Sequence, residues 1–245
     1  MRSAVVLVHG AWHGAWAWDR VVPLMEAAGV LAVAVDLPGR GSSPGPLGDL
    51  HADAEALTRE LDRYDSVILV GHSYGGAVIT EAGQHPSVCH LVFLAAFPLR
   101  SDESCGSAAR EYAAGIDHTG RTDLGSGFVH HPDGTVTLTP AVARACLYND
   151  VEEPTVAWAL ERLGPQPLTA LRQSPDQVGW QRMASTYVVC ANDQAVHPEL
   201  QRILARRCDT QVEWPTGHSP FLSEPARVAE VLVAAARGAP ADFHR

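Results

Sequence analysis

The residues with the most chemistry in their spacing are Gly71 to Gly76, which read GHSYGG. The apolar run SVILV (66–70) comes directly before them and AVITEAGQ (77–84) directly after, so a serine stands on a sharp turn between a strand and a helix. Such a turn needs strained backbone angles to lift the hydroxyl above the sheet, and side chains at the flanking positions would strike neighbouring backbone. Ser73 is therefore the candidate nucleophile, and Gly71 and Gly75 make room for it. Gly-x-Ser-x-Gly alone is a common pattern; its place between strand and helix gives it weight.

A serine hydroxyl is a poor nucleophile at neutral pH, so a base must lie within hydrogen-bond reach. His218 in VEWPTGHSPFLSEP is the best candidate. It follows a short expected strand (Gln211 to Trp214) and precedes the amphipathic helix expected at Pro225 to Arg237, in a late loop C-terminal to the serine. Among the competing histidines, His9 and His72 flank glycine turns and read as shaping the site, while His197 precedes Pro198 at a helix start. The imidazole needs an acid to fix its tautomer. Asp193, in CANDQAVHPE after the strand TYVVCA, stands at the carboxyl end of the sheet where such an acid belongs. Closing an Asx turn is the competing role for this residue.

A tetrahedral intermediate also requires backbone N–H groups aimed at its oxygen. Tyr74, next after the serine, supplies one, and Ala11 in LVHGAWHG is the expected source of the second. Gly10 permits close backbone approach there. Trp12, Trp16 and Trp18 stand nearby and fit core and pocket wall equally well.

These groups need a frame. The runs AVVLV (4–8), VLAVAV (30–35), SVILV (66–70), LVFLAA (91–96) and TYVVCA (186–191) have strand length and continuous apolar character, as in a sheet covered on both faces. Helical stretches are expected at Asp19 to Ala28, Leu50 to Tyr64, Gly76 to Gln84, Pro198 to Arg207 and Pro225 to Arg237. Alternating strand and helix predicts a doubly wound, mostly parallel α/β sheet in one domain over residues 1–245. The segment 98–180 breaks the rhythm. Its first part is Gly-rich and polar, its second helical at Pro140 to Leu147 and Glu153 to Leu163, and it reads as a small helical cap inserted over the sheet.

Composition narrows the function. The formal net charge is −10 with no basic stripe, which argues against nucleic acid as a partner. The opening MRSAVVLVHG has too short an apolar stretch for a membrane span or a secretory signal, so no membrane partner and a cytoplasmic location are expected. The five cysteines are odd in number and widely spaced, and read as buried thiols. The pairs His130, His131 and Glu152, Glu153 lack ligand partners at useful spacing, so no metal and no cofactor are expected. All 18 cationic residues are arginine, a habit of GC-rich bacterial genomes that also excludes Schiff-base chemistry.

Taken together, VLVHGAWHGAWAW, DLPGRG, GHSYGG, VFLAAFPL, CANDQAVHPELQ and GHSPF resemble the small α/β-hydrolases typified by plant methylesterases of the salicylate-binding type and hydroxynitrile lyases. The resemblance spans nearly the whole chain and is weakest in the cap. It implies the α/β-hydrolase fold, a triad of Ser73, His218 and Asp193, an oxyanion hole from Ala11 and Tyr74, and a lid near 98–180 over an apolar pocket. Homodimers occur in that family. The lyase branch carries threonine after the first-loop histidine and lysine after the late one; Gly10 and Ser219 stand at those places here, which favours the esterase branch. The expected activity is hydrolysis of a small hydrophobic or aromatic ester, or a lactone, in a pocket lined by Gly10, Trp12, Phe128, Leu147 and Tyr148, with no basic cluster in the cap to hold phosphate or polycarboxylate. Two other readings stay open: a lyase, C–C hydrolase or cyclase using the same base without an acyl-enzyme, and a protein that only binds a small ligand.

Overall fold

In the computed structural model, which describes residues 2–113 and 115–238, the apolar runs become strands and most of the segments between them become helices. Along the chain these are β1 (Ser3–Val8), α1 (Val22–Ala27), β2 (Ala32–Val35), α2 (Leu50–Leu61), β3 (Ser66–His72), α3 (Gly75–Ala82), β4 (Val88–Leu94) and α4 (Cys105–Ala113). The middle of the chain adds β5 (Phe128–His130), β6 (Thr135–Leu138), α5 (Pro140–Leu147), α6 (Glu153–Leu160) and β7 (Gln166–Pro167). The last part supplies β8 (Ser185–Cys190), α7 (Pro198–Ala205), β9 (Thr210–Trp214), α8 (Pro220–Ser223) and α9 (Pro225–Ala236).

Six strands form one sheet in the order β2-β1-β3-β4-β8-β9, every neighbouring pair parallel. Side chains alternate between two apolar layers. Val6, Val8, Leu69 and Phe93 face the layer that holds Leu57 of α2, Val78 of α3 and Leu204 of α7. Val5, Leu7, Val70 and Val92 face the opposite layer with Met25 of α1, Phe221 of α8 and Leu232 of α9. Burial on both faces explains why these strands read as continuous apolar runs. Each fully buried Val or Leu contributes roughly 1.5–3 kcal/mol, so the sheet is a stiff platform for whatever stands on its edge.

The strand order decides where a site can form. From β1 the chain steps outward to β2, then returns to the other side of β1 as β3. Connections that leave neighbouring strands in opposite directions open a crevice at their carboxyl ends. That crevice holds the residues after β1, His9 to Trp12, and those after β3, Ser73 and Tyr74.

Several expected elements are shifted. The helix expected from Asp19 starts only at Val22, because Ala15–Trp18 forms a 3-10 turn and Pro23, lacking an N–H, sits in the first helical turn. The cap is not simply helical. Its Gly-rich part forms the hairpin β5-β6 through His131 to Gly134, and β7, beyond the two helices, joins β6 to complete a three-stranded antiparallel sheet. The hairpin is written in the sequence as Asp133-Gly134, with Gly134 at φ 83°. Among the described residues no helix is long and apolar enough to cross a membrane.

Candidate active site

Ser73 stands one residue beyond β3 with φ 52°, a left-handed conformation rare for a residue with a side chain. The turn is fixed by the Ser73 N–H donating to Leu94 O (3.2 Å) and by the N–H of Gly76 donating to Ser73 O (2.9 Å). It cannot be built with larger neighbours. A Cβ on Gly71 would lie 2.6 Å from Gly75 O, and one on Gly75 would lie 2.7 Å from both Val8 O and His9 O.

His218 and Ser73 line the same cavity. The imidazole is buried, and its Nδ1 lies 2.7 Å from Asp193 Oδ2. A carboxylate only accepts, so Nδ1 carries the proton and neutral His218 keeps a free lone pair at Nε2. Asp193 makes the contacts of both roles open to it in the sequence. Its Oδ1 accepts the N–H groups of Ala195 (2.7 Å) and Val196 (2.9 Å), closing an Asx turn, while Oδ2 serves His218. A fully buried amide, Gln201, donates to the same Oδ2 at 2.7 Å and accepts from the Cys190 N–H at 2.9 Å. Gln201 lies on α7, so sequence reading had no cue for it beyond the periodicity of that helix. His197 caps the start of α7, its ring accepting from the Glu199 N–H at 3.1 Å.

Ala11 and Tyr74 also line the cavity, and neither backbone N–H has an acceptor among the described residues. The loop carrying Ala11 is held by two histidines that flank it. His9 Nδ1 donates to Gly10 O (2.8 Å) while its Nε2 accepts from the Leu37 N–H (3.3 Å). His13 Nδ1 donates to Ala11 O (2.7 Å) while its Nε2 accepts from the Tyr148 hydroxyl (2.9 Å). His72 takes a third such role, its Nε2 donating to the main-chain oxygen of His218 at 2.9 Å.

Burial pushes His9 down to about 4 and His13 to about 3, so both are neutral props. An unfolded histidine, with a pKa near 6.5, takes up a proton that these two refuse in the folded chain. The unfolded state therefore binds more protons below that pH, and stability is lost as pH falls from about 6.5 toward 4, by on the order of 3 kcal/mol per residue. The urea midpoint should decline steadily over this window, and His13→Gln should make the decline shallower by about one proton. A midpoint that stays flat from pH 6.5 to 4.5 would refute this account.

A second support lies under Tyr74. Its hydroxyl donates to Asp53 Oδ2 (2.7 Å), Asp53 Oδ1 pairs with Arg40 (2.9 Å), and Arg40 Nε donates to Gln166 Oε1 of β7 (3.3 Å). All four side chains are buried. The chain of contacts joins the turn after β3 to the cap sheet.

The cavity measures about 620 Å³. Of the residues the sequence points to, Trp12, Phe128 and Leu147 line it; Gly10 and Tyr148 do not. Gly10 lies behind the wall, where a Cβ would stand 2.8 Å from His72 Nδ1 and 3.0 Å from Ser73 Cβ. Tyr148 is turned away to hold His13. Of the other tryptophans, Trp18 is core, and Trp16 stacks on His13 with ring centroids 5.1 Å apart. The expectation of no basic cluster is also overturned: Arg110, Arg121 and Arg172 all line the cavity. They are scattered along the chain: Arg110 lies on α4, Arg172 follows β7 on a segment that α4 contacts through Gly106 and Leu171, and Arg121 stands between α4 and β5. Away from the cavity, His51, Glu81 and Asp176 bring ligand-type atoms within 4.8 Å of one another, with His51 Nδ1 2.9 Å from Glu81 Oε1.

The family model described as the alpha/beta hydrolase family matches residues 5–231. The chain belongs to that family. Among curated relatives, this hydrolase is 29% identical over 251 residues to the alpha/beta hydrolase nvfD of Aspergillus novofumigatus, covering 95% of this chain and 96% of that one. It is 28% identical over 249 residues to Methylesterase 17 of Arabidopsis thaliana, covering 94% and 90%. The resemblance to plant methylesterases read from the motifs is thus found along the chain. Among solved structures, polyneuridine aldehyde esterase shares the fold with TM-score 0.80 at 22% identity, over 96% of this chain and 99% of that one.

Proposed function

We propose that this hydrolase is a serine carboxylesterase that cleaves a small ester or lactone through an acyl-enzyme, with Ser73 as nucleophile, His218 as base and Asp193 as its orienting acid. Ser73 Oγ attacks the carbonyl carbon while His218 Nε2 takes its proton. The oxygen that becomes negative rests on the N–H groups of Ala11 and Tyr74. His218 then gives the proton to the departing alcohol oxygen. A water enters, loses a proton to His218 and attacks the acyl-enzyme, and the released acid restores the serine.

One observation carries this reading: a strained serine, a histidine with a free Nε2, and two backbone N–H groups without acceptors all open onto one apolar cavity. A relative named as a methylesterase supports the ester class. Gly10 supports hydrolysis over cyanohydrin cleavage. The lyase-branch threonine at that place would need a Cβ where His72 Nδ1 and Ser73 Cβ leave no room.

The reading is tested by p-nitrophenyl butyrate turnover together with labelling by a p-nitrophenyl phosphonate. Turnover should be lost in step with a single phosphonyl addition, mapped by mass spectrometry to the peptide containing Ser73. An adduct elsewhere, or turnover that continues after complete labelling of Ser73, would sink it.

A further inference from the structure

The mouth of the cavity contains charge that ester hydrolysis alone does not call for. Arg110, Arg121 and Arg172 line it in a protein whose formal net charge is −10. Nine other arginines pair with a carboxylate; these three do not among the described residues, and unlike Arg2, Arg20, Arg182, Arg206 and Arg237, which also lack such a pair, they line the cavity. Arg121 is partly accounted for, since it donates to the main-chain oxygen of Asp193. Arg110 and Arg172 are exposed and have no such bond.

These two are brought to one edge. Arg110 extends along α4, so that its Nη1 would lie 3.7 Å from a Cβ on Gly106. The Gly106 N–H donates to Leu171 O at 2.9 Å, which seats the residue before Arg172 against the same surface. Asp123, the lone carboxylate among the lining residues, already accepts the Gly125 N–H at 3.0 Å and caps a 3-10 turn. Like charges gathered without counter-ions repel, and that energy is recovered when an anion arrives. The guanidinium fork matches a carboxylate in particular. Most of the remaining wall is apolar, with Trp12, Phe97, Phe128, Leu168 and Leu200 among its residues.

We propose that the substrate is an ester with an apolar body and a second, ionised carboxylate remote from the scissile bond, received by Arg110 and Arg172. The inference rests on the esterase reading for its chemistry. Water adds across the acyl–oxygen bond, so an ester with the carboxylate on its acyl part yields a dicarboxylate and an alcohol.

Mono-p-nitrophenyl adipate, suberate and sebacate, set against p-nitrophenyl hexanoate, octanoate and decanoate, compare equal acyl chains that differ only in the terminal carboxylate. For at least one length, kcat/KM should favour the carboxylate ester by about tenfold or more, through KM. The preference should collapse in Arg110→Ala/Arg172→Ala and shrink in about 0.5 M sodium chloride. Arg182→Ala/Arg206→Ala, which removes the same charge outside the cavity, should keep it. A neutral ester preferred at every length, or a preference retained without Arg110 and Arg172, overturns the proposal. Should neither series be hydrolysed, the esterase reading fails while the charge proposal is still decided by binding. Isothermal titration calorimetry should then show tighter binding of monomethyl suberate than of methyl octanoate, and equal binding overturns it.

Discussion

Ser73→Ala should reduce kcat/KM for p-nitrophenyl butyrate by about 10⁵–10⁶-fold, a loss of roughly 7–8 kcal/mol of transition-state stabilisation. The substitution removes one oxygen and leaves the turn intact, because the strained conformation is imposed by packing at Gly71 and Gly75 rather than by the hydroxyl. The variant should therefore fold with an unchanged melting temperature. His218→Ala should fall by a similar factor, and the double variant by little more, since each group is useless without the other. A Ser73→Ala protein that keeps more than about a tenth of its ester turnover would exclude the acyl-enzyme. One that loses ester turnover but keeps a physiological reaction would point to the lyase or cyclase reading instead.

Asp193→Asn should lower kcat by about 10⁴-fold with little change in KM, and the reason lies in the Asx turn. Oδ1 is committed to the N–H groups of Ala195 and Val196, so an asparagine there keeps its oxygen on the turn and presents its NH₂ to His218. Facing a donor, the imidazole must accept at Nδ1 and move its proton to Nε2. The lone pair needed by Ser73 is then gone. The same NH₂ also meets the amide of Gln201, which cannot turn over without leaving the Cys190 N–H, so a stability loss of about 1–3 kcal/mol should accompany the effect. Activity within tenfold of the parent would show that Asp193 does not set the tautomer.

The parts of this molecule that are legible in sequence are those governed by local rules. β1, β3 and β8 are buried on both faces and so are continuous apolar runs, and the turn around Ser73 announces itself because only glycine fits at 71 and 75. The expected parallel sheet and the carboxyl-end rule then place Ala11, Tyr74, Asp193 and His218 at one end of the sheet from sequence alone. What stays hidden depends on encounters between distant segments. Nothing local in LYND marks Tyr148 as the partner of His13, and nothing in DLPGRG shows Arg40 reaching Asp53 and Gln166. The three arginines at the cavity mouth are the sharpest case. A search for basic runs cannot see charges that come from a helix, a loop and the segment after a two-residue strand. The β5-β6 hairpin, by contrast, was available from Asp133-Gly134 between alternating residues, and was obscured by the glycines around it.

The position of the sheet's last two strands has a consequence for how the molecule is made. Ser73 and the two proposed oxyanion donors follow β1 and β3 at the centre, while Asp193 and His218 follow β8 and β9, the latter at the sheet edge and paired only with β8. A ribosome therefore delivers the proposed nucleophile long before the groups proposed to activate it. On the proposed mechanism, the nascent chain carries an ordinary serine until the closing strands have emerged and docked, and reactivity is among the last properties the fold acquires.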